Sequence, residues 1–149
     1  MQKRSQRRST VVAVAAVAAV AGCSSTIPNS HQPPGSLPFT TAQVSVNGQP
    51  ASTTHKIDCS QDGWLHTLKT GDDKSGVTVV VNTGDTVRAE SVVITNVGDF
   101  TGSVFQSRIG KAEAKMIGTT FQVIGTAEGA TTTEPNQPAT ANFEIKVNC

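Results

Sequence analysis

From residue 42 onward this sequence predicts an all-β fold, an antiparallel β-sandwich or partly closed barrel of about seven to eight strands. Thr, Val and Gly dominate the region, while Leu occurs only at Leu37, Leu65 and Leu68. Branched side chains are stiff at χ1 and sit better on a pleated surface than on a helix. Short apolar runs are also separated by Gly, Asn and Asp turn signals, the rhythm of a meandering β domain. The last run, "ANFEIKVNC", alternates strictly: Phe143, Ile145 and Val147 on one face, Glu144, Lys146 and Asn148 on the other.

"AQVSVNG" sets Val44 and Val46 on one face and turns at Asn47-Gly48. "HKIDC" and "WLHTLK" flank a turn expected at Asp62-Gly63, which makes Trp64 a strand residue packed in the core or at an edge. "GDDKSG" turns into "VTVVVN", and "TGDT" turns into "VRAESVVITNVG", with a break expected between Asn96 and Asp99. "TGSVFQSRI" follows. "KAEAK" has helix-forming residues, but Lys111, Glu113 and Lys115 alternate with Ala112 and Ala114, which favours a strand. A turn near Gly118 leads to "TTFQVIGTAEG" and then to the last strand.

Upstream the sequence changes character. "MQKRSQRRST" carries Lys3, Arg4, Arg7 and Arg8 and no acid, and the uncharged apolar run Val11 to Ala21 follows. As a helix that run would measure roughly 16 Å at ~1.5 Å per residue, about half of a bilayer core. "VAGC", Val20 to Cys23, closes it in the pattern of a bacterial lipobox. A basic region, a short apolar region and small residues in that order describe an export signal. Residues 1–22 are therefore expected to be removed between Gly22 and Cys23, with Cys23 lipidated. Residues 23–41, rich in Pro, Ser and Thr and including His31, read as a lipidated N-terminus and flexible tether, and 42–149 as the β domain.

Loss of residues 1–22 leaves 127, enough for one core. It also removes four of the 12 Lys and Arg and none of the 11 acids, leaving eight bases, eleven acids and a net charge of −3. That balance excludes a basic footprint for nucleic acid or for anionic headgroups. Membrane attachment at the cell envelope, on its extracytoplasmic face, thus falls to the acyl chains. With Cys23 consumed, Cys59 and Cys149 remain for one bridge in an oxidising compartment. The rival readings are two free thiols or a redox pair, and the close C-x-x-C spacing usual for a redox pair is absent.

No nucleophile elbow, H-E-x-x-H pair or phosphate loop occurs, so the sequence makes no case for an enzyme or a cofactor. His55 and His66, with Asp58 and Asp62 close in sequence, are the nearest thing to a metal site, against the plainer reading of half-exposed strand histidines. A β interior holding an apolar envelope lipid or glycolipid is the alternative function.

"VSVNGQ", "ITNVGDFTGSVFQ", "AEAK", "FQVIGTAEG" and "FEIKVNC" follow one another in that order. Together with the lipobox and the two cysteines, the set resembles the mycobacterial nineteen-kilodalton lipoprotein antigen family. The resemblance implies a surface-exposed envelope lipoprotein and antigen, sensed by a host receptor, Toll-like receptor 2, through its acylated N-terminus, and an adhesin. It carries over Cys23 as the functional residue and the Cys59–Cys149 bridge as a structural one, and no catalytic residue. The chain departs from the family in its Pro-rich tether and at "DGWLHTLK".

Overall fold

The computed structural model describes residues 32–105 and 108–149, with the side chains of all but 51 and 52. Ten strands account for most of them, and no helix occurs among the described residues. They are β1 (Thr41–Val46), β2 (Gln49–Thr54), β3 (Ile57–Asp62), β4 (Leu65–Gly71), β5 (Gly76–Asn82), β6 (Arg88–Val97), β7 (Phe100–Phe105), β8 (Lys111–Ile117), β9 (Thr120–Thr131) and β10 (Ala139–Asn148). All belong to one sheet in the order β2-β1-β10-β9-β7-β6-β5-β4-β3, with β8 also on β9. Every pairing is antiparallel. The twelve residues of β9 run beside β10 on one side; on the other, β8 pairs with the first half and β7 with the second.

Of the two expected architectures, the curled, partly closed form is the one adopted. The two-residue link His55-Lys56 joins β2 at one end of the strand order to β3 at the other, so the two ends meet in space. Register shifts between Val44 and Ser45, Val80 and Val81, and Ile94 and Val97 add the local twist that curling requires. The interior is a single cluster drawn from both walls, with Leu68, Val79, Val81, Val92, Ile94, Val123 and Ile145 all essentially inaccessible. Strict alternation produces it: Val77, Val79 and Val81 of β5 point inward while their neighbours are half-buried.

The turn chemistry follows the sequence closely. Asn47 and Gly48 both take positive φ, as a two-residue type I′ hairpin demands. Asn96, Gly98 and Asp99 do likewise at the β6–β7 break. The "KAEAK" run is a strand, β8, with Lys111, Glu113 and Lys115 exposed.

Three features differ from expectation. The strand count is ten, above the seven to eight expected; "QPASTT" forms β2, with Pro50 tolerated because this strand closes one end of the sheet order and a missing N–H costs nothing at an edge. The β3–β4 turn is Gly63-Trp64, one residue later than expected, with Gly63 at positive φ. That shift takes Trp64 out of the strand, and its side chain is exposed rather than packed. Finally, residues 32–40, assigned to the tether from composition, are attached to the domain: Leu37 is buried and hydrogen-bonded at both its amide and its carbonyl.

Candidate functional site

Chemistry-bearing side chains are dispersed over the described residues. Gly22, Cys23 and His31 lie outside those residues. Cys59 and Cys149 are joined by a disulfide across a separation of 90 residues, which ties β3 to the residue after β10. Both cysteines are exposed, so the bond clamps the rim rather than the core.

The two histidines do not meet in a site. His55 Nδ1 lies 3.0 Å from the Thr40 carbonyl and donates to it, with Thr41 Oγ1 at 3.3 Å. His66 points its ring at Phe121, centroids 5.1 Å apart, and its Nε2 lies 3.2 Å from Thr83 Oγ1. Among the described residues no three His, Cys, Asp or Glu side chains gather where they could hold a metal ion. Asp58 and Asp72 border an open dent of about 560 Å3 that Lys56 and Lys69 also line. The Asp72 carboxylate accepts the amides of Lys74 and Ser75, which hold its pKa below the usual carboxylate value. That is how "GDDKSG" closes its turn: the acid serves the backbone. Glu144 is shifted the same way, first by the Gln122 amide and then by Lys146, whose Nζ is 3.3 Å away.

Two loop regions are bonded to residues far away in sequence. One is the lead-in to β1. The Leu37 amide donates to Thr120 Oγ1 at 2.9 Å, and Asn148 Nδ2 donates to the Leu37 carbonyl at 2.6 Å. Thr120 and Asn148 face each other across β9 and β10, and both are fully buried. Buried polar residues at the ends of two strands are satisfied here by an incoming backbone. The other region is the β3–β4 turn. Thr83 gives both its amide (2.8 Å) and its hydroxyl (3.2 Å) to the Trp64 carbonyl, and Gln61 Nε2 holds the Gly63 carbonyl at 3.0 Å. With the Thr83 hydroxyl proton on Trp64, His66 is the donor in its bond to Thr83.

Sequence reasoning missed both regions. The signal for the second was present: a Gly followed by one residue between alternating runs is a type II′ hairpin, which places Gly63 first and Trp64 second in the loop. The first had no local signal, because its partners lie 83 and 111 residues away.

The fold and bonding define a class: a disulfide-closed, single-sheet β domain whose start is bonded to its end, with no cluster that could hold a metal ion among the described residues. The family model described as Mycobacterium 19 kDa lipoprotein antigen matches residues 35–149, and the chain belongs to that family. It is 38% identical over 145 residues to a protein of Mycobacterium indicus pranii named as a lipoprotein, covering 95% of this chain and 99% of the relative. Identity to the lipoprotein LppE of Mycobacterium tuberculosis is 32%, over 76% of this chain and 81% of that one. The lipoprotein LpqH of Mycobacterium avium is 28% identical over 72% of this chain and 67% of its own length. The family match begins at Gly35, two residues before Leu37, so the bonded lead-in falls within it.

Proposed function

We propose that this chain is a cell-envelope lipoprotein, cleaved after Gly22, acylated on Cys23 and displaying its β domain on the extracytoplasmic face as an antigen and host-interaction protein. The observation that carries the reading is family membership over residues 35–149 downstream of the lipobox "VAGC". Residues 23–31 then link the acylated cysteine to the segment that Leu37 fastens to the domain. The lipid supplies the signal read by Toll-like receptor 2, and the outer face of the sheet supplies the adhesive surface. Two or more acyl chains hold such an anchor stably, since each buried CH2 contributes about 0.8 kcal/mol. The alternative, a lipid carrier with its ligand inside the sheet, gains no support from an interior filled by Val, Ile, Leu and Phe side chains.

Detergent phase partitioning and mass analysis of the chain made in a mycobacterial host test the proposal. The expected product lacks residues 1–22 and carries acyl mass on Cys23; Cys23→Ala partitions to water, loses receptor stimulation and keeps its disulfide. A bare Cys23 thiol, or residues 1–22 still attached, overturns it.

A further inference from the structure

Trp64 is the single tryptophan of the chain, and 69% of it is exposed although its carbonyl is held by both the amide and the hydroxyl of Thr83. Here the turn is bonded to the β5–β6 loop through Thr83, and Gly84 lies near the root of the Trp64 side chain: a methyl group there would make ordinary contact, 3.8 Å from Trp64 Cγ. The Gly84 amide is itself held by Asn82 Oδ1 at 2.9 Å, so the loop beside the indole is also fixed. Most of Trp64 faces solvent.

Around it lies a dent of about 450 Å3 lined by Trp64, Asn82, Gly84, Asp85 and Arg88. Asn82 is spent, donating through Nδ2 to Glu90 while its oxygen holds Gly84. Arg88 uses Nε on Glu90 at 2.8 Å, which sets the guanidinium plane and leaves its terminal nitrogens without a partner among the described residues. Asp85 is exposed and has no hydrogen-bond partner there either. Trp64 precedes Leu65, which pairs with Asn82, and Asn82 pairs with Arg88, so these residues gather at one end of β4, β5 and β6.

We propose that Trp64, Asp85 and Arg88 form a saccharide-binding shelf for an uncharged pyranose or furanose unit of a polysaccharide. The C–H face of a sugar ring is weakly positive and packs on the negative face of an indole. Its hydroxyls are donors and acceptors at once, and a free carboxylate beside free guanidinium N–H groups answers both. A fixed platform loses little freedom on binding. An anionic ligand would meet Asp85 and Glu90 beside Arg88, and a lipid surface would have to strip water from all three. The shelf is independent of acylation at Cys23, so the proposed anchoring and the shelf stand or fall separately.

The full chain, held in a polyoxyethylene detergent so that no glycoside competes, is titrated with larch arabinogalactan, mannan and dextran. With no tyrosine and one tryptophan, its indole fluorescence reports this shelf alone. At least one polysaccharide should give a saturable change, and Asp85→Asn and Arg88→Gln should each weaken it tenfold or more while the β circular-dichroism spectrum stays unchanged. Trp64→Ala, followed by calorimetry, should lose the binding heat. Absence of saturation with all three probes overturns the proposal, as does binding that survives Trp64→Ala. A blue shift of the indole on phosphatidylglycerol vesicles, with no response to sugar, also overturns it in favour of a lipid contact.

Discussion

Leu37 and Trp64 make an instructive pair. Each is a large apolar residue in a loop outside the strands with two hydrogen bonds on its backbone: Leu37 through amide and carbonyl to Thr120 and Asn148, Trp64 through its carbonyl alone to Thr83. Leu37 is 6% exposed, Trp64 69%. Backbone restraint thus goes with opposite side-chain burial at the two positions. At Leu37 the clamp and the burial act together, so the residue fastens the chain to the domain. At Trp64 the clamp joins two loops and leaves the indole in water.

The contrast can be broken or sharpened by substitution. The largest effect should come from the disulfide that pins Cys149, the neighbour of Asn148, to β3. Replacing both cysteines by Ser should cost about 4–5 kcal/mol in the chain-entropy account of a 90-residue loop, read from urea unfolding at neutral pH. Next, Leu37→Ala should cost about 2–5 kcal/mol, whereas Trp64→Ala should fall within ~0.5 kcal/mol. Equal costs at the two positions would remove the distinction drawn above. Asn148→Ala leaves the buried Leu37 carbonyl without its donor and should cost about 1–3 kcal/mol, with faster exchange of the Leu37 amide.

The smallest effect concerns acid. The folded pKa of Glu144 is lowered, so its contribution is complete above the ordinary value of 4.5 and is lost as pH falls through the folded value. The side chain is 42% exposed, which keeps the effect below about 1 kcal/mol. Glu144→Gln should therefore lower stability at pH 7 slightly and flatten the decline between pH 5 and pH 3 in urea titrations. A steeper decline in the variant would contradict the assignment.

Much of the sheet was legible because its cause is local. Val77 to Val81, Phe143 to Val147 and the Asn47-Gly48 turn announce strand, face and hairpin within a few residues. Composition pointed away from β2, since Pro50 and Gln49 do not resemble strand formers; the sheet's need for an end strand decided it. Trp64 was misplaced by a single position, which moved it out of the strand and into the exposed turn. The lead-in at Leu37 was illegible for another reason. Thr120 and Asn148, partners across β9 and β10, look like ordinary polar ends of strands until the distant Leu37 backbone bonds to both.

The junction of Leu37 with β9 and β10 also decides how the domain bears tension. A pull along the N-terminal extension reaches Thr120 and Asn148 before it reaches β1, and these sit on neighbouring strands inside the sheet order rather than at its end. Beyond Asn148 the load passes through Cys149 to Cys59 and is shared with the opposite wall. Force applied at Leu37 is therefore met first by two hydrogen bonds to adjacent interior strands, before the backbone ladder of β1 takes any of it.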